Sequence, residues 1–475
     1  MNILLTGVTG YIGGRLLPVL LDAGHTVYAC VRDRNRFPKG YEQYTNLHIT
    51  EVDFLHPHIE NLPLEIDAAY YLIHSMTDSV DHFDADEGIQ ARNFVAYMER
   101  TRVKQVIYLS GIAAGAELSR HLSSRKHVGE ILAEGNFNLT ILRAAIIVGA
   151  GSASFEIMYD LVDKLPFMIA PKTLNNLCQP IAVKNVIFYL KGVLMDPRFY
   201  NRTFDIGGPD VLTYKNMLEG IARVRSLKRH IITVPGISAS LIAHWFYFIT
   251  STSYKLAVNL SDSMKNTVIC QENSIRKLLS QHLLTYEEMV EQALEKIETD
   301  NVLTSWKDSF SSSGLNYKIS DHWKVPVHGV LSYEVEEKVH VGRDEVLKRV
   351  WEIGGSNGWW FANWLWKARG FLDLFGKGVG MRGRTNREKL MPGDAIDFWR
   401  VMIADKEAGR LLLYAEMIMP GQGWLEFRLF EKNHKLFLRQ KATFRPHGWR
   451  GRLYWLSTKP LHHFIFHGMI RKMTE

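Results

Sequence analysis

The stretch TGVTGYIGG occupies residues 6–14 and directly follows an apolar run, NILL, at residues 2–5. The apolar run is typical of a short buried strand, and the residues that follow the glycines favour a helix. Gly7, Gly10 and Gly13 are spaced G-x-x-G-x-x-G across this junction. The stretch therefore predicts a strand, a tight glycine turn and a helix in immediate succession.

The three glycines have distinct roles in a unit of this kind. The first permits the tight turn, the second lets the backbone approach a pyrophosphate, and the third lets the helix pack against the strand. The helix N-terminus offers N–H groups to the anion, and a second strand at residues 25–31 completes a βαβ unit. We therefore predict a dinucleotide site whose loop contacts are Gly7, Thr9, Gly10, Tyr11, Ile12 and Gly13.

The end of the second strand indicates which dinucleotide binds. NAD-binding proteins place an acidic residue about 20 residues beyond the glycines, where it holds the ribose 2′-OH, whereas an Arg there suits a 2′-phosphate. Here Arg32 follows the strand directly, and Asp33 comes one residue later. The residues favour NADP(H) over NAD(H). We interpret Arg34 and Arg36 as solvated loop charges.

Strand-like and helix-like segments alternate through the first part of the chain. Such alternation predicts a parallel sheet covered by helices on both faces. The predicted fold class is α/β, a Rossmann-type doubly wound parallel sheet. The strand-like segments are 46–53, 68–74, 106–110 and 139–142, and the helix-like segments are 84–101 and 124–135.

Several polar side chains stand at the predicted carboxyl ends of strands, where such sheets bind ligands. Asp53 is placed either to bond the adenine amino group or to cap the N-terminus of a helix, with Phe54 beside it. His74 and Ser110 are placed to line the nicotinamide side. We predict cofactor contacts from these four residues. Arg143, just after a strand, either anchors the sheet edge or faces the substrate, and we favour the structural role.

Several motifs together resemble a known family. Over residues 1–300 the chain resembles an atypical short-chain dehydrogenase/reductase, nearest to the NmrA-like branch and to relatives of a mitochondrial complex I accessory subunit. The resemblance implies an NAD(P)-binding domain with either reductase activity or a cofactor-sensing role without catalysis. The motifs are TGVTGYIGG, VDF, YLIHS, VIYLSG and TILRA, with QPIAVKNV from Gln179 and FDIGGPD from Phe204.

The chain departs from that family at the catalytic position. Active members carry Y-x-x-x-K, in which Tyr transfers the proton and Lys holds the ribose, but the residues after Ser110 that would carry the motif contain no Tyr. With Lys126 in the Lys position, Leu122 replaces the Tyr; with Arg125 there, His121 replaces it. The candidate catalytic residues are Ser110, His121 and Lys126. Arg125 and Lys126 are the candidates for contact with the cofactor ribose or phosphate.

The amino-acid composition of the chain changes near residue 300. We therefore predict domains at 1–300 and 326–475, joined by a linker at 301–325. Ten of the twelve Trp residues lie from Trp323 onward. Alternating apolar runs followed by a long closing helix predict a curled antiparallel meander, an α+β helix-grip domain. The strand-like runs are 395–403, 411–419, 424–430 and 435–444, and the helices are 344–352 and 449–473.

The runs WEIGGSNGWW, DFWRV and AEMIMPGQGWLEF resemble a domain of unknown function that is grouped with the START-like and polyketide-cyclase-like families. The resemblance implies an apolar cavity between sheet and helix, suited to a lipid, polyketide, quinone or isoprenoid. The alternative is that the aromatic residues pack a plain core. We interpret Asp397, Arg400, Glu416 and Glu426 as charges on strand faces rather than in a cavity.

The composition of the chain limits the class of protein, its partners and its cellular compartment. The 475 residues are 46% hydrophobic and 23% charged, which fits a globular protein of at least two domains. A net charge of +7 without long Lys/Arg blocks argues against nucleic acid as a partner. Cys30, Cys178 and Cys270 lie far apart, so neither a metal site nor a disulfide framework is indicated, and we expect a cytoplasmic location.

Residues 231–254 contain no Lys, Arg, Asp or Glu and are long enough to span a bilayer. Because a Pro-Gly pair interrupts them and polar residues dilute them, we predict a strand and a buried or surface-docked helix instead. Peripheral contact with the inner membrane surface is the alternative expectation for this segment.

Together the residues predict an NADP(H)-dependent oxidoreductase that acts on a hydrophobic small molecule of quinone, isoprenoid or polyketide-like type. Two alternatives stay open because the catalytic Tyr is missing. One is a non-catalytic NADP(H)-sensing regulator or assembly factor, and the other is a carrier of a hydrophobic ligand.

Overall fold

The first unit of the chain, Met1–Trp306, is built on one large parallel sheet. The computed structural model describes residues 1–32, 34, 37, 41, 43–56, 62–73, 83–113, 119–235, 264–298, 325, 330–376, 378–384, 390–432, 435–446 and 448–475. The strands of this unit are β1 (Asn2–Leu5), β2 (Thr26–Val31), β3 (Leu47–Glu51), β4 (Ala68–Tyr71), β5 (Gln105–Gly111), β6 (Asn138–Ala144), β7 (Ile147–Val148), β8 (Phe167–Pro171), β9 (Leu177–Cys178), β10 (Ile181–Ala182), β11 (Arg202–Ile206), β12 (Leu212–Thr213) and β13 (His230–Val234). The helices are α1 (Gly13–Asp22), α2 (Phe83–Met98), α3 (Arg120–Leu132), α4 (Ala153–Lys164), α5 (Val183–Gly192), α6 (Tyr214–Val224), α7 (Ile275–Leu278) and α8 (Tyr286–Glu298).

The main sheet has the strand order β11–β6–β5–β4–β1–β2–β3, and each neighbouring pair is parallel. The order reverses between β1 and β4, as it does in doubly wound sheets. α1 and α5 pack on one face, where Leu16 and Ile3 share a core. α2 and α3 pack on the other face, where Phe94 shares a core with Leu4. The predicted Rossmann-type doubly wound α/β fold is therefore confirmed.

The apolar composition of β4 and β5 suits their central position in the sheet. β4 and β5 read AAYY and QVIYLSG and are buried along their whole length, because helices cover both faces of a central parallel strand. Thr6 then joins the ends of β1 and β4. Its hydroxyl donates to the Tyr70 carbonyl at 3.0 Å and accepts from the Leu72 N–H at 2.9 Å.

The predicted element bounds shift by a few residues. α3 begins at Arg120 rather than at residue 124, because the Ser119 hydroxyl accepts the Leu122 N–H at 3.4 Å and so caps the helix. The predicted strand 68–74 ends at Tyr71, and His74 lies outside the described residues. In the uncharged segment 231–254 only the end of β13 is described.

Within the described residues, no helix combines the length and the hydropathy that crossing a bilayer requires. The predicted helix of segment 231–254, and with it the predicted membrane contact, lies outside the described residues.

The first unit has a further hydrophobic core, in which α4, α6 and α8 pack around Phe155, Ile221 and Val290. Arg143 has the structural role that the sequence favoured. Its Nε lies 2.6 Å from Oδ1 of the buried Asp205, so the ion pair joins β6 to β11.

The second unit, Lys307–Glu475, is an antiparallel sheet with three helices among its described residues. The strand order is β14–β19–β18–β17–β16–β15, and each pair is antiparallel. The long C-terminal helix packs against β14 and β19. The elements are β14 (Leu331–Lys338), α9 (Arg343–Trp351), α10 (Asn363–Phe375), β15 (Ala395–Ile396), β16 (Trp399–Asp405), β17 (Arg410–Ala415), β18 (Gly421–Lys432), β19 (Lys435–Pro446) and α11 (Gly448–Thr474).

The predicted antiparallel α+β domain with a closing helix is therefore present, and membership of the START-like group stays a prediction. The sequence analysis did not predict β14, which forms one edge of the sheet. The predicted run 395–403 is broken into β15 and β16, because Asp397 adopts a left-handed conformation with φ of 52°.

Three of the four charged residues assigned to strand faces, Asp397, Arg400 and Glu416, are instead buried, and two of them pair with each other. The Glu416 carboxylate accepts from Arg400 Nε at 2.9 Å and also pairs with Arg382, and all three side chains are fully buried. The fourth, Glu426, is partly exposed and pairs with Arg410 at 2.7 Å, as expected of a strand-face charge. The interpretation was wrong for Asp397, Arg400 and Glu416, which are buried, and Arg382 from outside the strands completes the pairing of Glu416.

Asp397 is buried as well, and its environment differs from that of Glu416. It accepts from Trp359 Nε1 at 2.7 Å and from the Gly355 N–H at 3.1 Å. Burial raises the pKa of Asp397 despite these bonds. Asp397 therefore holds the segment before α10 against the sheet rather than lying on an exposed strand face.

Burial alone would raise the pKa of Glu416, but Arg382 and Arg400 outweigh it and lower the pKa to about 2. Because the pKa in the folded state is depressed below the ordinary 4.5, the contribution of this carboxylate to stability is complete above that pH and is lost as pH falls through about 2.

We expect Glu416→Gln to lower the free energy of unfolding of the second unit by about 3–5 kcal/mol, because it removes the buried carboxylate that pairs with two buried guanidinium groups. Glu426→Gln, which breaks a partly exposed pair, is the matched control and should cost less than about 1 kcal/mol. Urea unfolding of the full chain, followed by tryptophan fluorescence, measures both. Equal losses for the two variants would contradict the stabilising role of the buried cluster.

Candidate functional site

The glycine loop between β1 and α1 leaves no room for side chains at two of its three glycines. Gly7 has a φ of 64°, and a Cβ there would lie 2.4 Å from the Leu72 carbonyl oxygen. A Cβ on Gly13 would lie 2.2 Å from the Gly7 carbonyl oxygen. Gly10 closes the turn by donating its N–H to the Gly7 carbonyl at 2.9 Å. The loop therefore forms the bare backbone cradle that a pyrophosphate requires.

The N-terminus of α1 is open to an anion. Its N-cap residue is Ile12, which provides no side-chain acceptor for the first-turn N–H groups. Thr9 lies half-buried in the loop ahead of it. These features fit a dinucleotide whose pyrophosphate is held by the loop and the helix N-terminus, as the sequence predicts.

Tyr11 is fixed by a neighbour that the sequence analysis missed. The Arg15 guanidinium lies over the Tyr11 ring at 4.0 Å and donates to the Ala150 carbonyl at 2.7 Å. A Cβ on Gly149 would lie 2.6 Å from the Tyr11 hydroxyl, so the ring fits closely under the loop after β7. Burial raises the pKa of Tyr11. The only sequence signal for Arg15 was a basic residue in the first turn of a phosphate-binding helix.

Arg32 stands at the carboxyl end of β2 with its side chain half-buried. Among the described residues it has neither an ion pair nor a hydrogen bond. Arg34 is exposed, and its backbone N–H faces Glu51 at 3.4 Å. Asp33 and Arg36 lie outside the described residues. Among the described residues, Arg32 is thus a cation beside the predicted ribose position.

Asp53 and Phe54, the second and third residues after β3, have mainly structural contacts. Asp53 Oδ1 accepts the Leu55 N–H at 3.0 Å and so closes a turn, which replaces the helix cap considered for it. The Phe54 ring is buried, with its centroid 5.6 Å from that of Phe94. A contact between Phe54 and a cofactor would therefore come from the backbone rather than from the ring.

Ser110 lies at the carboxyl end of β5 and is buried. It shares a face of the strand with Tyr108. Burial raises the pKa of Tyr108 to about 12, against the opposing effects of the Arg125 charge and the Ser110 hydroxyl. The Tyr108 hydroxyl donates to the Arg125 carbonyl at 3.1 Å. This network ties the end of β5 to α3.

α3 brings Arg125, and not Lys126, to the end of β5. A Cβ on Gly111 would lie 3.7 Å from Cδ of Arg125, so the Arg125 stem packs beside the strand end. The Lys126 side chain is 63% exposed and faces Glu130 at 3.9 Å. His121 lies in the first turn of α3, four residues before Arg125. Arg125 rather than Lys126 therefore lies beside the end of β5, and the placement of His121 at the Tyr position stays a prediction.

A buried carboxyl group near this network was not predicted from the sequence. The Ser124 hydroxyl donates to Glu87 Oε2 at 2.5 Å, and both residues are buried where α3 meets α2. The Glu87 charge also acts to raise the pKa of Tyr108. There was no distinct sequence signal for it, because the buried residues of α2 also include Gln90.

The second unit contains an apolar cavity, which the START-like resemblance implied. Its volume is about 160 Å³, and α10, β16, β18, β19 and α11 supply its walls. The walls are dominated by aromatic and aliphatic side chains, which suits a hydrophobic ligand.

Comparison with known families agrees with the geometry of the first unit. Residues 7–148 match a family model described as NAD(P)H-binding. The first unit is an NAD(P)H-binding Rossmann domain. Residues 329–469 match a second model, described as a protein of unknown function (DUF2867).

Two relatives extend this comparison. The chain is similar to the chloroplastic divinyl chlorophyllide a 8-vinyl-reductase of Arabidopsis thaliana, at 22% identity over 227 residues, or 44% of this chain and 54% of the reductase. The chain thus spans about half the length of that curated relative. A nucleoside-diphosphate-sugar epimerase from Staphylococcus aureus superposes with a TM-score of 0.50 and 15% identity, over 61% of this chain and 100% of the epimerase. At that identity the likeness shows the fold alone.

We expect Arg125→Met to weaken NADP(H) binding about tenfold, because it removes a charged hydrogen-bond donor beside the strand end. Lys126→Met should change the affinity less than about twofold, since an exposed surface charge contributes little. Titration of the cofactor fluorescence measures both dissociation constants. A larger loss for Lys126→Met would contradict the placement of Arg125 in the cofactor site.

Proposed function

We propose that the protein is an NADP(H)-dependent oxidoreductase that acts on a hydrophobic substrate of quinone, isoprenoid or polyketide-like type. The observation that carries the proposal is the glycine cradle at residues 7–13, with Arg32 at the end of β2. The similarity to a vinyl reductase supports the reaction class. The aromatic cavity of the second unit supports a hydrophobic substrate.

The preference for NADP(H) rests on the environment of Arg32. The described residues around it supply no partner for its guanidinium. A 2′-phosphate would provide two charge-assisted hydrogen bonds to this group, whereas the 2′-OH of NAD(H) would provide no anion. Arg32 therefore gains more from NADP(H) than from NAD(H).

When bound, the nicotinamide supplies or accepts a hydride. The residues of the chain then need to orient the cofactor and to move a proton. Arg125 lies beside the carboxyl end of β5, where Ser110 offers a hydroxyl. We assign the proton transfer to His121, because an imidazole titrates near neutral pH and this position replaces the Tyr of the family motif. Lys126 is left out because its side chain lies in solvent.

A second candidate function follows from the missing Tyr. With Leu122 or His121 at that position, the domain can bind the cofactor without turning it over. The protein would then be an NADP(H)-sensing regulator or assembly factor, in which cofactor binding favours one conformation.

We expect Arg32→Glu to weaken NADPH binding about tenfold to a hundredfold. The change replaces a cationic hydrogen-bond donor to the 2′-phosphate by a carboxylate, which repels the phosphate. NADH binding should change far less. Arg34→Glu is the matched control, because it makes the same charge change two residues away on an exposed side chain. Parallel fluorescence titrations decide the point. Equal losses for the two variants, or for the two nucleotides, would contradict the assignment of the 2′-phosphate to Arg32.

Turnover separates the two candidate functions. The oxidoreductase should consume NADPH in the presence of a hydrophobic quinone such as menadione, and His121→Gln should lower the rate and alter its pH profile near neutrality. Assays that follow the absorbance of NADPH over time, at a series of pH values, measure the rate and its pH profile. Tight NADPH binding without consumption across quinone, enone and isoprenoid ketone acceptors would exclude the enzyme and leave the regulator.

A further inference from the structure

Helix α10 turns its apolar and acidic residues the opposite way from an ordinary surface helix. Its one acidic residue, Asp373, is buried and accepts from the Gly380 N–H at 2.9 Å and from the Ile418 N–H at 2.7 Å. The opposite side of the helix is apolar, and its large side chains are each more than half exposed, up to 68% for Trp364. A surface helix ordinarily buries its apolar side. The exposed side chains are Trp364, Phe371, Leu372 and Phe375.

The exposed apolar surface continues from α10 onto its neighbours. Ile418 is exposed beside the end of α10, where its Cδ1 lies 3.3 Å from the position of a Cβ on Gly376. Phe361, just before α10, packs on Phe464 of α11 with ring centroids 5.1 Å apart. We call the exposed apolar residues of α10 and α11, with Ile418, the apolar patch, and those of α11 are Leu453, Leu456, Leu461 and Phe464.

Three cations border the apolar patch. Lys367 is one helical turn from Trp364 on the exposed side of α10. On α11, Arg452 and Lys459 lie one turn to either side of Leu456. All three cations are exposed, and none of them has an ion pair among the described residues. Their charges are therefore available to an anionic partner.

Neither helix presents an acidic side chain on this surface. Residues 448–474, which form α11, contain five Lys or Arg residues and no Asp or Glu. In α10 the charge of Asp373 is turned inward. The apolar patch is therefore complementary to an anionic surface. A two-fold contact with a second copy of the chain would instead bring like charges together.

The mixture of residues favours a lipid bilayer over a protein as the anionic partner. Trp, Phe and Leu side chains insert at the boundary between headgroups and acyl chains, and Lys and Arg beside them reach the lipid phosphates. Lys367 can lay its stem along the neighbouring rings while its ammonium group reaches that level. The cores of protein interfaces, by contrast, are depleted of Lys.

We propose that the apolar patch of the second unit docks the protein on the surface of a membrane that contains anionic lipids. The apolar side chains insert into the boundary region, and Lys367, Arg452 and Lys459 contact the phosphates. This surface is separate from residues 231–254, whose predicted membrane contact lies outside the described residues. The inference depends neither on NADP(H) binding nor on hydride transfer.

Flotation of the full chain with lipid vesicles tests the docking. One vesicle is pure phosphatidylcholine, and the other is an equal mixture of phosphatidylcholine and phosphatidylglycerol. We expect the partition coefficient to be about tenfold or more higher on the anionic vesicles, because several cations lie near the charged surface. The difference should shrink as added salt screens these charges.

Substitutions on two exposed apolar surfaces locate the contact. The double change Phe371→Asn and Leu372→Asn should lower the partition coefficient on anionic vesicles about tenfold or more, because two apolar side chains no longer insert. The matched control is Ile169→Asn with Ile232→Asn, which alters two exposed, paired residues of β8 and β13 in the first unit. The control should leave the partition coefficient unchanged. Circular dichroism checks that both variants are folded.

Trp364 reports its own insertion. Lipids with brominated acyl chains quench the fluorescence of tryptophans that enter the bilayer, and Trp364 is the exposed tryptophan among the described residues. We expect brominated anionic vesicles to quench the fluorescence of the full chain. Trp364→Phe should remove most of that quenching and change the partition coefficient less than about threefold, because the ring that replaces the indole is also apolar.

Several results would overturn the proposal. They include no binding to either vesicle, equal binding to both, and equal losses for the double change at Phe371 and Leu372 and for the control. Quenching that survives Trp364→Phe would place the contact elsewhere on the chain and so contradict it. Self-association in sedimentation experiments that the changes at Phe371 and Leu372 abolish would assign the apolar patch to a second copy instead.

Discussion

The first unit depends on the close approach of α1 to the glycine loop. A Cβ on Gly13 would lie 2.2 Å from the Gly7 carbonyl oxygen. A Cβ on Gly7 would likewise lie 2.4 Å from the Leu72 carbonyl oxygen. Backbone therefore packs on backbone on two sides of the loop. Thr6 fixes the second of these sides through its two hydrogen bonds to β4.

This constraint places each of the other site elements. With α1 held against the loop, its N-terminus faces the carboxyl ends of β1 and β4. Arg32 and Ser110 then stand at the ends of strands on either side of β1, because the sheet order is β5–β4–β1–β2. The proposed cofactor site therefore depends on Gly7 and Gly13, because these two residues allow the backbone of the loop to pack this closely.

Local signals made the first unit predictable and left its long-range contacts hidden. The glycine spacing and the apolar strands are features of neighbouring residues, so the sheet and its loop were predicted correctly. The pairing of Glu87 with Ser124, and the choice of Arg125 over Lys126, depend on how two helices rotate against the sheet. One residue along a helix turns a side chain by about 100 degrees, which separates an exposed Lys126 from a packed Arg125.

The second unit shows the same limit for polar residues. The resemblance to START-like domains implied a cavity, but Arg400 and Glu416 were interpreted as charges on strand faces. The structure buries both with Arg382, where the three charges satisfy one another.

The most direct measurement is a crystal structure of the full chain with NADPH bound. The pyrophosphate should lie on residues 7–13 at the N-terminus of α1, with the 2′-phosphate on Arg32 and the nicotinamide end near Ser110 and Arg125. A nucleotide bound elsewhere on the chain, or a 2′-phosphate that points away from Arg32 into solvent, would contradict the proposed cofactor site.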